Sequence, residues 1–381
     1  MMPSKAILLI ITLVFTAYIL LLNRPSSDNA FPSASALLST KQIPIKSNST
    51  IEQTATFENI ASSTEKLIAP SNASSIKLIE LADNCLNNIN DSAERKIKQD
   101  DYITALELSA GSDDKLALYM QNSRAKNSEN LDDIFLRSPT SANDRLLYDR
   151  QLALCSENFN QQYCHDELYD QAHHIDKDNA YLWYLIASIH LSQNSISDAL
   201  EAIHLGNNKA YFNDYHFEKI SFIEQSYQKN SGLSFNNRLN SAIEMTSTSL
   251  GINYTTLINF CELQLENIDV ADSCLQMGSQ LEQHSQTSIA YMMGLYLQQL
   301  NYRHYFKAEL YKEIQQKLNK YHQDVTDNKA YHAMSTLMSF DERLGRTWLN
   351  AGLEKGEIFS IAQTINEAKI FSQDDNYQPC H

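Results

Sequence analysis

Glycine and proline are scarce, with 9 and 7 in a chain of 381 residues. Nucleotide folds need glycine where backbone approaches phosphate, and β-sandwiches need both residues at their turns, so the shortage argues against each. Positive charge is scarce too: 30 Lys and Arg stand against 46 Asp and Glu, a formal net charge of −16. A surface of that sign repels phosphate backbones, so nucleic acid is not an expected partner. The sequence has no Cys-x-x-Cys, His-Glu-x-x-His, Gly-x-Ser-x-Gly, P-loop or dinucleotide fingerprint, and no cofactor, metal or catalytic site is expected from it. Sustained β-branched alternation is missing as well, so the expected class is all-α.

What is present begins with an apolar run at 6–22, AILLIITLVFTAYILLL. It sits at the short end of the ~17–25 residues that span a bilayer as a helix. Lys5 and Arg24 flank it, and Asn23-Arg24-Pro25 follows where a signal peptidase would need small residues. The expectation is a short N-terminal segment, 1–5, and an uncleaved signal anchor over 6–23, a single pass through the inner membrane. Residues 24–75 are rich in Ser, Thr, Asn, Ala and Pro with balanced charge. That composition buries too little apolar area to offset chain entropy, so a flexible linker is expected.

From 76 to 371 apolar residues recur at helical spacing, leaving a tail at 372–381. Helices are expected near 142–155, 164–175, 180–193, 196–206, 213–228, 234–249, 254–265, 270–284, 286–300, 303–322, 328–338, 341–353 and 357–370, with another opening at an N-cap Ser112. One stretch has a sharper pattern. Counting from Trp183, Ile186 falls at +3, Ala187 at +4, His190 at +7, Ala199 at +16, Ile203 at +20 and Gly206 at +23. Preceded by Asp176-Lys177-Asp178-Asn179, it resembles the tetratricopeptide (TPR) repeat. The resemblance implies antiparallel helix pairs whose repeat core includes Trp183, Ile186, Ala187, Ala199 and Ile203. Thirty-four residues upstream, Leu152, Ala153, Tyr169 and Ala172 match core positions, while Asp149 and His165 depart from them. Downstream, Phe217, Ile220 and Ser221 match and the pattern is lost at Leu233. The likeness covers 145–230.

Six cysteines are present. Cys155 and Cys164 lie symmetrically about one predicted turn, and Cys261 and Cys274 about another, so two stapled hairpins are expected. Cys85 and Cys380 either pair or stay free. Staples of this kind imply an oxidising compartment, which places the C-terminal domain in the periplasm. The stapled-hairpin style resembles proteobacterial envelope proteins. The sequons at Asn48, Asn72, Asn90 and Asn253 also fit a eukaryotic type II glycoprotein, though an Asn- and Ser-rich chain carries them by composition.

Two clusters bear on chemistry. His165, His173 and His174 sit among Asp166, Glu167, Asp170 and Asp176, at a spacing too wide for two ligands on one ion, so a solvated face is expected. In 301–322 the basic residues Arg303, Lys307, Lys312, Lys317 and Lys320 outnumber Glu309 and Glu313. One arrangement makes this a docking face. The other, which we favour, is an amphipathic helix with Phe306, Leu310, Ile314, Leu318 and Tyr321 inward. Taken together, the sequence points to a membrane-anchored helical-repeat scaffold that binds a protein or peptide in the cell envelope. Its rivals are a membrane-tethered hydrolase with a site inside the array and a structural assembly subunit.

Overall fold

Helix-forming sequence dominates the structure, a computed structural model in which residues 72–86, 92–109, 111–121, 144–157, 164–247 and 251–380 are described. All fall within the unit Phe57–His381. The expected anchor, 6–23, lies outside them, as does the linker up to residue 71. Among the described residues no helix is long and apolar enough to cross a membrane, and β structure amounts to one isolated bridge, between Asn179 and Tyr211.

The helices are α1 (Asn72–Leu86), α2 (Ser92–Leu108), α3 (Ser112–Gln121), α4 (Asp144–Glu157), α5 (Asp166–Asp170), α6 (Ala172–Ile175), α7 (Ala180–Ser192), α8 (Ile196–Asn207) and α9 (His216–Asn230). They continue as α10 (Phe235–Ser247), α11 (Tyr254–Leu263), α12 (Ile268–His284), α13 (Ser288–His304), α14 (Ala308–Tyr321), a π turn (His322–Thr326), α15 (Lys329–Met338), α16 (Glu342–Lys355) and α17 (Glu357–Ser372). Helix α1 starts inside the expected linker. The segment expected as one helix over 164–175 is two short ones, and Cys164 precedes both. At α3 the first helical bond runs from the Lys115 N–H to the Gly111 carbonyl, 3.0 Å, so Gly111 rather than Ser112 holds the cap position.

Helices α7 and α8 pair; α8 lies along α12, α12 along α13 and α13 along α14, with α7 also meeting α4 and α11. Small residues set a close approach between α12 and α13. A Cβ on Gly294 would stand 2.6 Å from the Gly278 carbonyl oxygen, and one on Gly278 would stand 2.9 Å from that of Gly294. Helices α9 and α10 leave this row and join a core shared with α1, α2, α3, α15, α16 and α17. In that core Phe217 packs on Trp348 with ring centroids 4.9 Å apart. Helix α1 lies against α15 and α17, so the first described helix is packed on two of the last three.

A 34-residue correspondence survives where α9 departs. The Asn179 Oδ1 accepts from the Tyr181 N–H, 3.1 Å, and the Asn213 Oδ1 accepts from the Tyr215 N–H, 2.8 Å. The two asparagines are also joined: Asn179 Nδ2 donates to the Asn213 carbonyl at 2.8 Å and its Oδ1 accepts the Asn213 N–H at 2.9 Å. Asn179 thus caps α7, whereas Asn213 makes the same bond two residues ahead of Tyr215, which holds the cap position of α9. The architecture is an all-α, helical repeat-like array.

Three cysteine pairs stand at disulfide distance. Cα separations are 5.6 Å for Cys155–Cys164, 5.8 Å for Cys261–Cys274 and 5.2 Å for Cys85–Cys380. The third, left open by the sequence, links α1 to the C-terminal tail.

The segment 303–322 corrects an expectation. It is not one helix, because α13 runs on to His304 and α14 begins at Ala308. Ile314 and Tyr321 are buried, but Phe306 is 93% exposed and Leu310 42%. Phe306 sits in the turn, off the inward stripe of α14.

Candidate functional site

Helix α9 is built to face two ways. Phe217, Ile220, Ile223 and Tyr227 enter the core, while Glu218, Ser221, Gln225 and Lys229 recur at three- and four-residue intervals on the opposite side. That polar side forms the floor of a hollow of about 440 Å³, walled by Asp113 and Asp114 of α3, Arg145 and Leu146 of α4, and Leu353 of α16. A second hollow of about 380 Å³ continues toward α10 and α16, with Gln228, Phe235, Arg346 and Asn350 in its walls. The two share Ser221, Gln225 and Leu353, and so make one trough along α9.

Charges in the trough are mostly matched. The Lys229 Nζ donates to the Asp114 carboxylate at 2.7 Å, Asn230 Nδ2 at 3.1 Å and the Ser109 hydroxyl at 2.6 Å. Burial works to raise the Asp114 pKa, but these three donors outweigh it and hold the carboxyl below the ordinary aspartate range. Glu224 accepts from the Arg238 Nε at 2.8 Å. Glu218 is only half satisfied: its Oε1 accepts from the Asn213 side chain at 2.8 Å, while its buried Oε2 has no hydrogen-bond partner. Arg145, in the same hollow, lies 5.9 Å from the Tyr215 ring centroid.

Behind the floor is a buried ion pair. Asp149 and Lys219 are 1% and 4% exposed, and the Lys219 Nζ donates to the Asp149 Oδ2 at 2.8 Å. The Tyr181 hydroxyl donates to the other carboxylate oxygen at 2.5 Å, and the Lys219 Nζ lies 5.6 Å from the Tyr181 ring centroid. Burial first, and then the Asp149 charge, push the Tyr181 pKa well up, so the phenol stays protonated.

Comparison with known proteins returns no match among family models, curated proteins or solved structures.

Apart from Ser221, expected at a repeat-core position and found in the trough, the structure places the residues singled out by sequence elsewhere. Trp183, Ile186 and Ala187 are buried in α7, and Ala199 and Ile203 in α8. His173 packs on the Trp183 ring at 4.5 Å between centroids, from a helix neighbouring α4. His165 pairs with Glu167 at 2.8 Å in solvent. Among the described residues no group of three His, Cys, Asp or Glu is arranged to hold a metal ion. The Asn253 sequon caps α11, its side chain accepting from the Thr256 N–H at 3.1 Å.

One serine–histidine contact exists across α8 and α12, Ser273 Oγ to His204 Nε2 at 2.8 Å. The Ser273 hydroxyl also donates to the Asp269 carbonyl at 2.8 Å, so its proton is directed into the helix and not to the imidazole. Ser273 is 4% exposed. The pair staples two helices.

Sequence reasoning missed the trough because serine and glutamine on a helix face read as an ordinary solvated surface. Part of a signal was available: with Phe217 and Ile220 at inward positions of the 34-residue frame, Glu218 and Gln225 face out, but the frame also sets Ser221 inward, at the place of Ala187, whereas the structure has it half-buried in the trough.

Proposed function

We propose that this chain is a membrane-anchored, TPR-like helical-repeat protein that binds an extended protein or peptide segment along the outer face of α9. The observation that carries the reading is the trough itself. It is open and elongated, and it presents Ser221, Gln225, Gln228 and Asn350 between fixed charges. Side-chain amides both donate and accept, which suits the backbone of an extended chain. An enclosed pocket where unpaired titratable groups converge would favour a hydrolase. Here the carboxyl with a shifted pKa, Asp114, is held ionised by its own neighbours. The three cysteine pairs support placing the body on an oxidising face of the membrane, the periplasm in a bacterial envelope.

The test is site-specific photo-crosslinking of the full chain in its own membranes, with the crosslinker at Gln228 and a control at exposed Ile370. A discrete adduct at Gln228, absent at Ile370 and lost in a Ser221→Arg/Gln225→Arg variant of unchanged helicity, is the expected result. Adducts indifferent to those two substitutions would remove the trough as the binding site. Thiol trapping before lysis tests the compartment: six blocked cysteines fit the periplasm, and free thiols at Cys155 and Cys164 would put the body in the cytoplasm.

A further inference from the structure

Three described non-glycine residues have positive φ: Asn194 at 60°, Tyr215 at 57° and Phe306 at 54°. This left-handed region disfavours L side chains, least of all asparagine. Asn194 is therefore in its element. Tyr215 is fully buried, its hydroxyl donating to Asp176 at 2.7 Å and its N–H to the Asn213 side chain at 2.8 Å, and those interactions offset its strain. Phe306 has no such compensation. Its ring is 93% exposed.

The α13–α14 turn repeats the α7–α8 turn bond for bond. Lys307 N–H reaches the Tyr302 carbonyl at 2.9 Å as Ser195 N–H reaches that of His190 at 2.9 Å. Tyr305 N–H bonds the Asn301 carbonyl at 3.0 Å as Gln193 N–H bonds that of Ile189 at 3.1 Å. This is the helix-ending motif whose left-handed position takes glycine or asparagine. Phe306 occupies the place that Asn194 fills in the sister turn. A bulky ring that is both strained and bare has no role within the fold, and such outliers cluster at sites of recognition.

The neighbouring α11–α12 turn completes a surface. The Tyr305 hydroxyl donates to the Leu265 carbonyl at 2.7 Å, and His304 approaches Glu266 at 3.8 Å. On that turn Leu263 is 80% exposed and Ile268 72%. Arg303, Lys307 and Lys312 are exposed on and beside the first turn, with Glu309 and Glu313 among them; Glu262, Glu266 and Asp269 are exposed on and beside the second. The surface thus has a mainly basic half with the bare Phe306 and an acidic half with the bare pair Leu263 and Ile268.

We propose that these two turns form a self-complementary docking surface for a second copy of this chain. A two-fold axis running between the turns sets the basic half of each copy on the acidic half of the other, with Phe306 seated against the partner copy's apolar pair. A bilayer surface is a poorer occupant: headgroups that attract Lys307 repel Glu266 and Asp269. This inference is independent of the trough on α9.

The experiment is sedimentation of the full chain in detergent over a range of concentrations, reading the dimer dissociation constant. Phe306→Asn restores the sister turn's residue, so the variant is expected to keep or raise its melting temperature while dimerising about thirtyfold more weakly, as on loss of an aromatic anchor. Lys307→Glu and Glu266→Lys each weaken self-association, but an equimolar mixture of the two forms heterodimer at wild-type strength, since both contacts are then complementary. A monomeric wild type, or a dimer that survives Phe306→Asn, overturns the proposal. So does association that falls with Phe306→Asn but ignores both charge reversals, which would assign the patch to detergent or lipid.

Discussion

Asp149 shows how one residue that breaks a pattern reports on the structure. It stands 34 residues before Trp183, where the repeat calls for a large apolar side chain, and the slot is filled by a carboxylate neutralised by Lys219 from α9. Removing one member of a buried pair leaves an uncompensated charge, whereas removing both with apolar residues of similar volume is often neutral. Lys219→Met is therefore expected to cost about 3–5 kcal/mol in urea unfolding. The double variant Asp149→Leu/Lys219→Met should recover most of that loss, though the Tyr181 hydroxyl then lacks its acceptor and holds back about 1–3 kcal/mol. A single substitution costing no more than a surface change would show that the pair is not buried as described. The irregularity at Asp149 was legible in the sequence; its partner was not, because nothing in a linear pattern brings Lys219 to it.

At the scale of elements, the helices of the row were readable because each has an apolar stripe and a polar break. Ends near 180, 196, 254 and 357 were expected and found. Helix α2 was not expected. Its run of charges, SAERKIKQDD, hides the few inward residues, Tyr102 and Leu106, that tie it to the core. The break between α5 and α6 at Gln171 has no marker in the sequence. Nor does the departure of α9 and α10 from the row, although the repeat frame fails at Leu233, within the hairpin that departs. Element pairing itself is testable at the α12–α13 crossing. A Cβ at Gly294 meets backbone atoms of α12, the Glu282 nitrogen and the Gly278 oxygen, both at 2.6 Å, and backbone cannot step aside as a flexible side chain does. Gly294→Ala is expected to lower stability by about 1–3 kcal/mol through forced separation of the helices. Gly232→Ala is the matched control. A Cβ there meets nothing within 4 Å, and the substitution should be neutral or stabilising by about 0.4–1 kcal/mol through the unfolded chain. Equal effects at the two sites in thermal unfolding would mean that α12 and α13 do not cross as closely as described.

For the molecule as a whole, the decisive feature is that its core is not built from neighbours in sequence alone. Helix α1 lies against α15 and α17, Lys77 pairs with Asp375 at 2.8 Å, and Cys85 meets Cys380 across 295 residues. An open stack of hairpins leaves its end helices half covered and needs capping repeats; here the two ends of the described chain cover each other. The sequence allowed Cys85 and Cys380 to pair but gave them no turn to be symmetric about, so only the local staples could be argued beforehand. The cross-links also differ in what they constrain. In the chain-entropy account, closing the 295-residue loop restricts the unfolded state by about 5–6 kcal/mol, against about 3 kcal/mol for the 9-residue loop of Cys155–Cys164. Cys85→Ala/Cys380→Ala is therefore expected to destabilise more than Cys155→Ala/Cys164→Ala in denaturant unfolding. It should also raise amide exchange in α1, α15 and α17 together while the α7–α8 and α12–α13 pairs keep their protection, because the lost clasp holds only the first group. Exchange rising uniformly, or in α1 alone, would count against a core shared by the two ends of the described chain.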